Sequence, residues 1–140
     1  SLSINRVIAA NLAQEGIELI RAKIDFNLND NVPAEPWLTG LDSCLSPATC
    51  RVLVITNEYE SCNLLNGSCN LQSNNEGLYV TAGEPGTSGQ IFQRTIEITV
   101  TQPINPLLAN TEAKVTVKVY WWDKNQNRDI SLNAYVYNPI

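Results

Sequence analysis

The chain of 140 residues contains no histidine. That removes Ser-His-Asp and Cys-His catalysis, most zinc sites and the usual proton shuttle near neutral pH. Methionine is absent as well, so Ser1 is not a translation start and a processed or excised chain is expected, its missing part upstream. The opening Ser1-Leu2-Ser3-Ile4 has no N-cap region of its own and reads as the continuation of an earlier helical segment. Basic residues are few, nine against fourteen acidic ones, and they are scattered. Phosphate neutralisation needs a concentrated positive surface, so no direct nucleic-acid binding is expected at a net charge of −5. No apolar run reaches the ~18 residues that a spanning helix requires, which leaves a membrane span to the expected upstream segment. The glycine-rich Gly83–Gly89 contains Pro85 and lacks a phosphate-binding lysine. With no cleft-forming motif or second catalytic group in view, neither enzymatic activity nor a cofactor is expected.

What is present begins with a helix. From Ser3 to about Phe26 there is no proline, and the one glycine, Gly16, sits among good helix formers such as Leu12, Ala13, Gln14, Glu15, Glu18 and Leu19. Ile4, Ile8, Leu12, Leu19 and Phe26 fall on one side at 100° per residue, and Ala9, Ala13, Gly16, Ile17, Ile20 and Ile24 continue that surface. Gln14, Glu18, Arg21 and Asp25 lie opposite. The apolar sector covers roughly half the wheel, where a surface helix needs about 100°. A second apolar partner besides the chain's own sheet is implied. Glu15 and Glu18 are helical neighbours near the polar sector, with Arg21 three residues beyond Glu18, and are expected in a solvated or intersubunit ion pair. The cluster Asn27-Leu28-Asn29-Asp30-Asn31, then Val32-Pro33, is expected to stop the helix.

Beyond it the pattern turns to strand. Pro33–Cys50 is an irregular connection whose Trp37 and Leu38 are expected to fold back as core anchors. Strands are expected at Arg51–Thr56, Leu78–Thr81, Ile91–Thr101, Lys114–Trp122 and Ile130–Tyr137, the last two flanking Asp123–Asp129 as a long hairpin. Val115, Val117, Val119 and Trp121 alternate with Lys114, Thr116, Lys118 and Tyr120, giving one buried and one solvated face. Asn63–Glu76 is polar enough for a plain surface loop. The fold class is α+β, one long N-terminal helix packed on an antiparallel sheet within one domain.

The four cysteines allow three pairings. Cys44 with Cys50 and Cys62 with Cys69 is favoured, because each bond closes a short, turn-rich loop. Spacings of five and six residues suit a zinc site poorly. Disulfides put the chain outside the cytoplasm. Asp123, Asn125, Asn127 and Asp129 repeat at every second position like the first half of a calcium loop, but Arg128 stands at the expected glycine and Ala134 where a closing glutamate belongs. A hairpin turn is the favoured reading, and no metal is expected. Asn66-Gly67-Ser68 fits a glycosylation sequon and is read as a turn. Trp121-Trp122 places one ring on each face of its strand.

Leu12-Ala13-Gln14-Glu15-Gly16-Ile17-Glu18, followed by Arg21 and Asp25, resembles the helix just after the membrane-embedded part of bacterial type IV pilin-like proteins, those with a prepilin-type cleavage and methylation N-terminus. Phe92–Ile98, Val115–Trp121 and Ser131–Tyr137 are similar to strands of the same proteins. The resemblance implies that residues 1–27 are the C-terminal half of a pilin spine helix and residues 28–140 a globular antiparallel headgroup with a disulfide-containing connecting loop. It implies a subunit of a type IV pilus or pseudopilus, membrane-anchored through the missing N-terminal segment before assembly, then exposed at the cell surface or outside the cell. Its partners would be copies of itself or other pilins, through Ile4, Val7, Ile8, Ala9, Leu12, Ala13, Gly16, Ile17 and Ile20. Both candidate cysteine pairs lie in the first half, whereas many type IV pilins carry a disulfide loop near the C-terminus. The rival reading is a secreted or surface-attached module that binds carbohydrate or protein through Trp37, Tyr79 and Trp122.

Overall fold

The computed structural model describes residues 2–30, 36–53, 56–101 and 111–138. Helix α1 runs from Leu2 to Asp25 and continues into a π-helical turn, Phe26–Asp30. The α-helix proper therefore ends just before the Asn27–Asn31 cluster, as expected, and the cluster itself enters a π turn that runs to Asp30. Asn27 is fully buried, and its amide donates to the carbonyls of Trp37 at 3.0 Å and Thr39 at 2.9 Å. A polar residue that disfavours helix in isolation is thus turned into a clip that holds the connection against the helix end. Asn31 and Pro33 lie outside the described residues.

Seven strands follow: β1 (Cys50–Leu53), β2 (Glu58–Ser61), β3 (Asn70–Ser73), β4 (Tyr79–Thr81), β5 (Ser88–Val100), β6 (Glu112–Asp123) and β7 (Gln126–Tyr137). They form one sheet whose strand pairings are all antiparallel. The α+β class is as expected. β5 is its axis. One edge of β5 pairs with β6 from Phe92↔Trp121 to Val100↔Ala113, while the other is divided between β3, at Asn70↔Gln93, and β1, at Cys50↔Ile96. β2 lies outside β1, β4 outside β3, and β7 outside β6.

Two expectations about the strands are corrected. The segment Asn63–Glu76 is not a plain loop, since β3 crosses it and sends Leu71 into the core. One apolar residue among polar neighbours is too short an alternation to announce a strand. The seven-residue connection expected at Asp123–Asp129 shrinks to Lys124-Asn125, with Asp123 paired to Gln126. Both turn residues have positive φ, 47° and 65°, the left-handed pair whose twist matches that of the flanking strands.

The helix-facing row of β6, Ala113 through Trp121, is buried as the alternation requires, and with Phe92, Ile96 and Ile98 of β5 it meets Ala9, Leu12, Ala13, Ile17 and Ile20 of α1. Each such side chain of Val, Leu or Ile size contributes about 1.5–3 kcal/mol. Trp37 and Leu41 close the core from the connecting segment.

Candidate assembly and binding surfaces

Helix α1 divides along its length. Ala9, Leu12, Ala13, Gly16, Ile17 and Ile20 are buried within the chain, Ile8 is half-buried, and Ile4 and Val7 are 59% and 60% exposed. Of the nine residues expected at an assembly interface, the first helical turns alone present large apolar side chains to solvent. The excess apolar surface is narrower than the wheel suggests because three strands, β5, β6 and β7, lie beneath the helix.

Two contacts fix α1 on the sheet. At Gly16 a Cβ would stand 2.9 and 3.1 Å from the two methyls of Val117, so the helix approaches β6 as closely as a glycine permits. On the adjacent strand, opposite Val119, Arg94 occupies a core position of β5 and is 3% exposed. Its Nη1 donates to the Leu12 carbonyl at 3.1 Å and to Glu15 Oε1 at 2.6 Å. The buried cation thereby gains a carboxylate and a backbone oxygen, the condition for tolerating it there. Glu15 thus forms its ion pair within the chain and with Arg94 of the sheet, and its side chain, 48% exposed, keeps the carboxylate in contact with solvent as expected. Glu18 receives a bond from Gln14 at 3.5 Å. Farther along, the half-buried Tyr59 of β2 donates its hydroxyl to the Leu19 carbonyl at 3.0 Å, and burial raises its pKa above the ordinary 10.0.

The aromatic residues of the rival binding surface do not converge. Trp37 is 5% exposed and belongs to the core, which bears out its role as an anchor and corrects its assignment to a binding surface. Tyr79 packs edge-on against Phe92, centroids 5.7 Å apart and planes at 82°. Only Trp122 is open, 54% exposed, on the sheet face turned away from the helix. Its neighbour Trp121 is buried on the helix side, as the alternation along the strand predicts.

Both favoured disulfides are present. Cys44–Cys50 ties the short 3-10 turn Asp42–Cys44 to the start of β1, and Cys62–Cys69 closes a loop of which Asn66 and Gly67 form part. That loop is stiffened from within: Leu65 N–H donates to Asn63 Oδ1 at 2.7 Å and Ser68 N–H to Asn66 Oδ1 at 2.9 Å. It overhangs the solvated face of β5 and β6 and forms with it a groove of about 740 Å³, whose floor includes Thr95, Glu97, Thr116, Lys118 and Tyr120. Leu65 stands on the loop 96% exposed. The groove went unread in the sequence, because its floor is the ordinary polar side of an alternating strand and its overhang depends on where the loop folds.

Asp123, Asn127 and Asp129 sit in the β6–β7 ladder, Asn127 opposite Trp122 and Asp129 opposite Tyr120, while Asn125 forms the turn. No cluster of three or more His, Cys, Asp or Glu suited to a metal occurs among the described residues. No helix among them is long and apolar enough to cross a membrane. No known protein family, curated protein or solved structure matches this chain.

Proposed function

We propose that this chain is the headgroup of a structural subunit that works by self-assembly, in a filament of the type IV pilus or pseudopilus kind. The observation that carries the reading is the exposure of Ile4 and Val7, adjacent on the first two turns of a helix whose next large apolar residues, Ile8, Leu12, Ile17, Leu19 and Ile20, are half-buried or buried. Neighbouring large apolar side chains left in water on a helix are suited to a protein partner. The Arg94 clasp and the Gly16 contact support the same reading, since they join helix and head so that load on one reaches the other. The two disulfides fit an extracellular or secreted location. Attachment to a pilus and anchoring in the inner membrane before assembly are further parts of the proposal, and they rest on the resemblance of Leu12–Glu18 and of the strand segments to pilin-like proteins.

The test is electron microscopy of the full-length gene product in its own host, with an epitope inserted at the exposed turn Asn75-Glu76. Label along surface fibres is expected for a major subunit, and label at tips or sparse points for a minor one. Absence of fibres, with the protein free in the medium, contradicts the proposal. That outcome would favour a binding module, for which the groove beneath the Cys62–Cys69 loop is the supporting observation.

A further inference from the structure

We infer that the free edge of β7 is a docking edge at which two copies of this chain pair their sheets, antiparallel, about a two-fold axis. The inference does not rest on the filament reading. β7 pairs with β6 over twelve consecutive residues without a bulge, and no described residue pairs with its other edge. An edge of this kind presents an unbroken row of alternate N–H and C=O groups, a template for another strand.

The remaining edges of the sheet are guarded in the usual ways. β4 is three residues long, and β2 is four residues long with Glu58 and Glu60 on it. β7 has no proline, lysine or bulge, and its last eight residues, Ile130–Tyr137, carry no charge. In a chain of net charge −5, that stretch lets a second copy approach without setting like charges against each other.

Pairing geometry favours self-association in particular. Along an antiparallel strand, the residues whose N–H and C=O point outward alternate, so they all share one parity. When two copies of β7 pair through those groups, even-numbered residues must face even-numbered ones. Ile130, Leu132, Ala134 and Val136, which pack on the helix side, then meet their counterparts in the partner, and the polar and tyrosine row meets its own. The half-buried Ile130, Leu132 and Ala134 gain the cover that α1 alone does not give them. A one-residue slip that would put apolar against polar is excluded by the hydrogen-bonding phase.

Sedimentation equilibrium of the chain at about 10 µM to about 1 mM tests this. A monomer–dimer equilibrium is expected. Asn133→Lys with Tyr135→Lys, both at exposed positions, should weaken it at least tenfold by bringing like charges together across the axis. Glu76→Lys changes the net charge by the same +2 on a distant turn and should leave the dimer within about twofold. Near-ultraviolet circular dichroism checks that each variant keeps its packing. A wild-type chain that stays monomeric throughout overturns the inference. So does a dimer that survives the two lysines but is lost in Val7→Glu, which would place the contact on the helix and leave the filament proposal standing.

Discussion

At the scale of single residues, Gly16 is the clearest case of a choice made by packing. Glycine costs a helix about 1 kcal/mol relative to alanine, so an idle Gly16 would be improved by Gly16→Ala. Here the added methyl meets Val117, a fully buried β-branched side chain that cannot swing aside. Overpacking of this kind costs about 1–3 kcal/mol, which exceeds the propensity gain. Urea denaturation should show Gly16→Ala destabilised by roughly 1 kcal/mol, and combining it with Val117→Ala should give positive coupling in a double-mutant cycle. A stabilised Gly16→Ala would mean that the glycine is merely tolerated. In the sequence Gly16 stands out only as the one glycine among good helix formers, which does not say which surface comes near. The same limit applies to Arg94. Alternation places it in the row of Phe92, Ile96 and Ile98, yet its partner Glu15 lies 79 residues away. Only folding reveals that two side chains with apparently separate roles neutralise each other.

At the scale of elements, the helix is held by its neighbours as much as by its own hydrogen bonds. Tyr59 reaches from β2 to the Leu19 carbonyl, and the bond exists only while the phenol keeps its proton. Burial raises the folded pKa above the unfolded value near 10.0. Between the two values the folded state holds the proton more often than the unfolded one, so stability falls as pH rises there. The contribution is complete below pH 10.0 and lost as pH passes through the raised folded value. The unfolding free energy of Tyr59→Phe, from urea denaturation, should accordingly be lower by about 1 kcal/mol at pH 7 and show a shallower alkaline decline than that of wild type. An unchanged alkaline slope would show that Tyr59 is not the group responsible.

Elements differed in how legible they were. α1, β5, β6 and β7 carry long periodic patterns, and their existence and burial follow from Ile17, Ile96 or Val117 recurring at the proper spacing. β2 and β3 do not, because Tyr59 and Leu71 are single apolar residues in four-residue strands and their pairing comes from the neighbouring edge. The π turn at Phe26–Asp30 was hidden for the opposite reason. Asn27 and Asn29 are stop signals locally, and only the carbonyls of Trp37 and Thr39 convert Asn27 into a helix-end clip.

At the scale of the whole molecule, one side of the sheet is closed by α1, and among the described residues the other is overhung by the Cys62–Cys69 loop. That asymmetry separates the surfaces available to partners. The exposed first turns of α1 lie at one end of the helix, the groove lies on the opposite face, and the edge of β7 runs along the side. The candidate site was legible only in part: excess apolar surface on the helix was visible, but most of the nine residues named for it proved to serve the chain's own core. Ile4 and Val7 remain, and the account of self-assembly depends on them.

The most direct measurement is therefore filament assembly by the full-length protein carrying Ile4→Glu and Val7→Glu, scored by electron microscopy beside the wild type. The account predicts that the head still folds, with both disulfides formed, while filaments are lost or reduced at least tenfold, since two charges enter an apolar contact. Filaments as numerous and as stable as those of the wild type would contradict it.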